Sequence, residues 1–119
     1  MQDFLYYATV GALFTHELDA VKRHEWRVLP LIRSLPERIG EQVFMWIHAP
    51  LFALLLWGGD GESASVTRVW LAAFAIAHIG LHFLFRRHPA YEFNNSSSWG
   101  LILLTGLLGA IYLLSLTGP

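Results

Sequence analysis

The chain has 119 residues and is strongly apolar, with 55% hydrophobic and only 14% charged residues. Its mean hydropathy is +0.45. Soluble domains carry about 25% charged residues, so this composition favours a single membrane domain. A net charge of -1 argues against binding to nucleic acid, and the absence of cysteine excludes disulfides, thiolate metal sites and iron–sulfur clusters.

Four apolar segments are long enough to cross a membrane, at about residues 4–20, 39–57, 66–85 and 99–116. About 20 helical residues cover the roughly 30 Å of hydrocarbon in a bilayer. Because lipid offers no hydrogen-bond partners, a spanning backbone must be helical unless it closes into a barrel, which four short strands could not do. The sequence therefore predicts an all-α protein, an integral membrane four-helix bundle in one domain over residues 1–119.

The first segment ends in a cluster of polar residues. His16 and Asp19 are three residues apart and Arg23 follows four residues later, so these side chains share one face of the helix. We expect His16 and Asp19 to be metal ligands and Arg23 to bind an anionic group of the substrate. Asp19 or Glu17, which points about 100° away from His16, would act as the catalytic base. The alternative is that His16 and Asp19 form a purely structural pair.

The second and third segments add three histidines. His48 lies about eight residues into the second segment, shortly before Pro50, which should kink the helix. His78 and His82 are four residues apart in the third segment, a spacing that lets both imidazoles reach one metal ion from one helix face. We predict that all three histidines are metal ligands. The structural alternative for His48 is a hydrogen bond to a carbonyl group freed by the proline.

The connection before the last segment is long and polar. Arg86 and Asn94 are predicted to contact the substrate there, with Arg86 holding an anionic head group. The alternative is an ordinary basic membrane anchor followed by a helix cap, for which Asn95 and the serines at 96–98 are also candidates. In the last segment, Gly106 belongs to a small-xxx-small pattern that predicts close helix packing.

Basic residues predict the orientation in the membrane. Five of them lie in the first connection and two open the third, whereas only Arg68 lies near the second. Because Lys and Arg are enriched in the cytoplasmic loops of membrane proteins, this distribution places both termini outside. We predict a protein of the inner (cytoplasmic) membrane of a bacterium or archaeon.

In this topology, the polar groups of three helices lie within roughly 6–12 Å of the same membrane face. Histidines and a carboxylate at one depth are typical of metal sites in the cores of helix bundles. Nitrogen-rich ligation without thiolate suits a transition metal such as zinc, iron, manganese or copper, and we favour zinc over iron. The predicted metal ligands are His16, Asp19, His48, His78 and His82.

The stretch THELDAVKRHEWRVLP resembles the signature of small bacterial membrane proteins named for an HXXEE motif. The His-x-x-acid pair would be His16 and Asp19, although Ala20 stands in place of the second acid. The histidine pattern is also similar, more distantly, to zinc-dependent membrane hydrolases of the alkaline-ceramidase and adiponectin-receptor type, which have seven helices. That resemblance implies a zinc ion, with the corresponding residues in this chain being His48, His78, His82 and Asp19.

Together these patterns predict a membrane metalloprotein, specifically a metal-dependent hydrolase that activates water to attack a lipid-like substrate. Membrane lipids are the expected surroundings, and the small-residue faces are compatible with a homo-oligomer. Three alternatives stay open from the sequence. They are a haem- or iron-binding redox protein with axial histidines from facing helices, a small proton- or ion-coupled transport subunit, and a passive accessory subunit of a larger partner.

Overall fold

The computed structural model describes residues 1–118, which form four α-helices and a short 3₁₀ turn. The helices are α1 (Gln2–Lys22), α2 (Glu37–Gly58), α3 (Ala64–Phe85) and α4 (Ser96–Ser115), and the 3₁₀ turn Glu25–Arg27 follows α1. No β-strand occurs within residues 1–118. The predicted all-α fold class is therefore confirmed, and α2 continues as a helix through Pro50.

The α4 helix begins at a side-chain cap. The Asn95 carboxamide oxygen accepts a hydrogen bond from the backbone N–H of Ser98 at 2.8 Å. Such a cap satisfies one of the backbone donors that the first turn of a helix leaves without an internal partner. Among the cap candidates in the sequence, Asn95 is the residue that performs this role.

Helices α1 and α4 run antiparallel side by side over their whole length. At one end the Gln2 side chain donates to the Ser115 carbonyl at 3.2 Å, and at the other the Ser98 hydroxyl donates to Asp19 at 2.6 Å. Helix α3 also packs closely against α4, where a Cβ added at Gly109 would lie 2.8 Å from a carbonyl oxygen of α3. Helices α1, α3 and α4 thus form the tightly packed part of the bundle.

Helix α2 lies at the periphery, and only Gly40 and Phe44 of its residues are buried. Its two ends are attached to the rest of the bundle. The indole N–H of Trp26 donates to Glu37 at 3.2 Å near the start of α2, and the Tyr6 hydroxyl donates to the Leu55 carbonyl at 2.7 Å near its end. A cavity lies between α2 and α3.

Three helices, α2, α3 and α4, are long and apolar enough to cross a membrane, as judged over residues 1–118. Their outward surfaces carry many exposed large apolar side chains, including Trp46, Trp57 and Leu84. Such surfaces are stable in lipid and unfavourable in water. Helix α1, which carries Asp3, Glu17 and Asp19, is not among these three, so its predicted crossing stays a prediction. The orientation of the termini stays a prediction.

Candidate metal centre

Three histidines and one glutamate converge where α1, the 3₁₀ turn and α3 meet. One potential ligand atom from each of His16, Glu25, His78 and His82 lies within 4.8 Å of the others. His16 comes from α1, while His78 and His82 are one turn apart on the facing side of α3. The spacing of the two α3 histidines therefore brings both of them toward one point, as the sequence predicted.

Glu25 reaches this point because the chain reverses sharply after α1. His24 adopts a left-handed backbone conformation, with φ of 54°, and the 3₁₀ turn Glu25–Arg27 follows at once. Trp26 is 3% exposed and packs near Phe44, with ring centroids 5.8 Å apart, so it anchors the turn against the bundle. Anchoring Trp26 turns the neighbouring Glu25 inward, where its side chain is 12% exposed.

The histidines of the cluster have buried ring nitrogens without hydrogen-bond partners. Within residues 1–118, both nitrogens of His16, Nδ1 of His78 and Nε2 of His82 are in this state. His16 itself is 0% exposed. A buried polar atom left without a partner costs about 1–3 kcal/mol, and such groups in folded proteins often mark a bound water or ion. A metal ion binds one nitrogen of each ring, so it would supply a partner for His78, for His82 and for one of the two His16 nitrogens.

Tyr91 orients one of the three rings. Its hydroxyl lies 3.0 Å from Nδ1 of His82, and Nε2 of the same ring lies 3.7 Å from the Glu25 carboxyl oxygen. When Nε2 binds a metal, Nδ1 carries the proton and donates it to a neighbouring oxygen, which fixes the ring and raises its basicity. Burial raises the pKa of the Tyr91 phenol, so its oxygen stays neutral and available as that acceptor.

The electrostatics of Glu25 also fit a cation. Burial, followed by the nearby charge of Glu17, raises the pKa of Glu25 to about 8. A carboxyl group with that pKa is largely protonated at neutral pH when no cation is present. A divalent ion beside it would stabilise the carboxylate, because a bound metal is the largest charge in such a site. Three imidazoles and one carboxylate form a donor set that suits zinc, iron, manganese or copper.

Two of the predicted ligands, Asp19 and His48, lie outside this group. Asp19 accepts a hydrogen bond from Ser98 at 2.6 Å and pairs with Arg23 at 3.3 Å, so it ties α1 to the start of α4. His48 Nδ1 lies 2.5 Å from the Phe44 carbonyl oxygen, and its Nε2 lies 2.9 Å from Glu17. Both partners of His48 are oxygen atoms, so the imidazole and the Glu17 carboxyl together hold a shared proton.

The residues predicted to bind substrate lie away from the cluster. Arg23 pairs with Asp19, and Arg86 donates to the Phe83 carbonyl at 2.8 Å while its guanidinium lies 3.6 Å from the Phe83 ring centre. Asn94 is exposed in the α3–α4 connection. Neither arginine, nor Asn94, lines the cavity next to the histidines as far as residues 1–118 are concerned.

Glu25 and Tyr91 are residues of the site that were not among the predicted ligands or catalytic residues. Glu25 lies in a basic stretch that is typical of the membrane–water interface. Tyr91 lies in a loop, nine positions after His82. The one local signal is the position of Glu25 next to a tryptophan, which favours burial of that segment. The inward direction of Glu25 depends on the left-handed turn at His24, which the residue type does not predict.

A cavity of about 290 Å³ adjoins the cluster between α2 and α3. His78 and His82 form part of its inner wall, together with Glu17, Glu25, His48 and Tyr91. Most of its other lining is aliphatic or aromatic, which is typical of sites for small apolar ligands. The cluster is therefore buried from bulk water and still reachable by a ligand.

Comparison with known proteins gives a family and no activity. No curated protein and no solved structure matches the chain. A family model described as "Family of unknown function (DUF6713)" matches residues 2–118. This chain belongs to that family.

Proposed function

We propose that the protein is a membrane metalloprotein in which His16, Glu25, His78 and His82 hold one divalent transition-metal ion. The observation that carries the proposal is the complete burial of His16 with both ring nitrogens lacking a partner. An apolar side chain would fill the same position without that penalty. The convergence of three further donors within 4.8 Å supports the same conclusion.

The reaction we propose is metal-dependent hydrolysis of a lipid-like ester or amide. Hydrolytic zinc sites commonly use three protein ligands and leave the fourth position to water, which becomes a nucleophile near neutral pH. The three histidines supply such a set. Glu25, 3.7 Å from His82 Nε2, is then placed either to complete the coordination or to accept the proton of the water. In the second arrangement it would take the role of base that the sequence suggested for Asp19 or Glu17.

The packing of the histidine rings supports a single ion over a haem held between any two of the three cluster histidines. The ring centroids of His16, His78 and His82 are 4.6 to 5.0 Å apart, and the rings meet nearly edge to face. A haem with two axial histidines requires the flat macrocycle to lie between the imidazoles. The rings of this cluster touch one another, so they leave no such gap.

Elemental analysis of purified protein tests the metal centre. We expect about one zinc or other first-row transition-metal ion per chain in the wild type, and a loss of most of it in His16→Ala. His88→Ala is the control, because His88 accepts a hydrogen bond from the Ala90 N–H in the α3–α4 connection, outside the cluster. Wild-type protein that takes up no metal on titration, or a His88→Ala loss equal to that of His16→Ala, would overturn the proposal.

A further inference from the structure

The cavity between α2 and α3 is built from two helix faces and a cap of loop residues. Its α2 wall includes Phe44 and Leu51, its α3 wall includes Phe74 and Leu81, and Ile32 belongs to the cap. On each helix the lining residues recur at spacings of three, four and seven, so each wall is one stripe along a helix face, apolar apart from its histidines. The cavity therefore has the form of a slot that runs along the helices.

The mouth of the slot opens on the outer surface of the helices. Leu51, Phe74 and Leu81 line it, and each of them is also 44 to 45% exposed. Phe44 and Phe93 lie at the inner end and are 3% and 0% exposed. Both helices at the mouth are apolar enough to span a membrane. Exposed apolar side chains of such helices face acyl chains, so the slot opens sideways toward the hydrocarbon of the bilayer.

The inner end of the slot has polar groups but neither lysine nor arginine. Glu25, His82 and Tyr91 lie there, and neither Lys nor Arg lines the cavity in the part of the chain that the structure describes. Phosphate groups are normally held by Arg, Lys or helix N-termini. A head group that reaches this end would be held by the metal ion and by hydrogen bonds, as a carboxylate or carbonyl oxygen can be.

The volume limits the ligand further. At about 290 Å³, the slot is at the lower end of the range of about 300–1,000 Å³ found for small-molecule pockets. That space admits one hydrocarbon chain and is too small to enclose a lipid with two chains and a large head group. We infer that the slot binds a single-chain lipid with a small oxygen-bearing head, entering sideways from the bilayer between α2 and α3. The position of the head group beside the metal rests on the proposed function, whereas the position of the hydrocarbon chain in the slot does not.

Binding of radiolabelled palmitate to detergent-purified protein tests this inference. We expect saturable binding of one palmitate per chain, weakened by about tenfold in Leu51→Trp, whose larger ring would fill the slot. The control is Leu54→Trp, a leucine of the same helix that is 58% exposed and outside the cavity lining. It should change the affinity by less than about twofold.

A second pair of variants keeps the test decisive if Leu51→Trp does not fold. Leu81 lines the slot on α3, and Leu84 on the same helix is 71% exposed and does not line it. Leu81→Trp should weaken palmitate binding and Leu84→Trp should not. Equal effects within a folded pair would overturn the inference, as would competition by dioleoylphosphatidylcholine that equals competition by unlabelled palmitate.

Measuring the metal content of the same samples separates the two proposals. Saturable palmitate binding in a protein that holds no metal would overturn the metal centre and support the chain-binding slot. Stoichiometric metal without saturable palmitate binding would overturn the slot and leave the metal centre standing. If both hold, stripping the metal should weaken palmitate binding, because the carboxylate head then loses its ligand.

Discussion

At the scale of single residues, the candidate site stands out because its buried imidazoles have nitrogens that lack hydrogen-bond partners. Asp19 and His48 are as polar as the cluster residues, yet hydrogen bonds to Ser98, Phe44 and Glu17 satisfy them. By contrast, the imidazole of the cluster histidine on α1 has no hydrogen-bond partner and is completely buried. A satisfied polar pair is explained by its hydrogen bonds alone, whereas an enclosed and unpartnered imidazole calls for a ligand.

The same contrast predicts different roles for two carboxylates, Glu25 as a metal ligand and Asp19 as a hydrogen-bond acceptor. Glu25→Gln should weaken metal binding by more than about tenfold, because the loss of even a hydrogen-bond partner of a ligand weakens metal affinity by about 10–100-fold. Asp19→Asn should leave metal binding unchanged, since an amide oxygen can still accept the hydrogen bond from Ser98. Competition titration with a chromophoric chelator measures both affinities.

The opposite ranking of these two variants would contradict a ligand set made of the three cluster histidines and Glu25. It would instead support the set predicted from the sequence, in which Asp19 is a ligand and Glu25 is not. Thermal unfolding of both variants in the metal-free state serves as the control, because a folded protein is required before its affinity can be interpreted.

At the scale of elements, close contact between α3 and α4 positions two of the histidines. The backbones approach where Ala72 of α3 faces Gly109 of α4. A Cβ added at Gly109 would lie 2.8 Å from the Ala72 carbonyl oxygen and 3.2 Å from its Cα, and neither backbone atom can rotate away. Small residues at helix contacts in membranes allow this kind of approach. The rigid pair then holds His78 and His82 at a fixed distance from α1.

Gly109→Ala should therefore destabilise the protein by about 1–3 kcal/mol, the usual range for overpacking. Gly100→Ala in the same helix is the control, because a Cβ there would meet nothing within 4 Å, and alanine favours the helix over glycine by about 0.5–1 kcal/mol. Unfolding in mixed micelles with increasing SDS, followed by circular dichroism, gives both values. Equal stability of the two variants would show that α3 and α4 are not in backbone contact at Gly109.

The helices themselves were largely predictable from the sequence because lipid constrains them strongly. Apolar length decides whether a segment spans, and the α4 cap follows from the hydrogen-bonding chemistry of asparagine. The connections were less predictable. The turn after α1 depends on a left-handed His24 and on the burial of Trp26 against α2, which are tertiary effects. For this reason the sequence indicated the histidines of the candidate site but missed Glu25.

At the scale of the whole molecule, the candidate metal centre brings together residues from three parts of the chain. Its ligands come from α1, the 3₁₀ turn and α3, and α2 is attached to the same turn through the hydrogen bond between Trp26 and Glu37. Helix α2 otherwise packs lightly, with Phe52 stacked on Phe14 at 3.9 Å as its main aromatic contact in the middle. An ion at the cluster would thus stabilise the turn directly and the position of α2 indirectly.

Metal should consequently raise the stability of the whole bundle. A ligand that binds only the folded state at a free concentration 100 times its dissociation constant adds about 2.7 kcal/mol. The thermal midpoint of detergent-purified protein should fall after treatment with a chelator and recover when metal is added back. His16→Ala should show no such shift, whereas His88→Ala should behave as the wild type does. If chelator and metal both leave the wild-type midpoint unchanged, packing alone holds the four residues together without an ion. The unpartnered nitrogens of His16 would then need buried water as their hydrogen-bond partner.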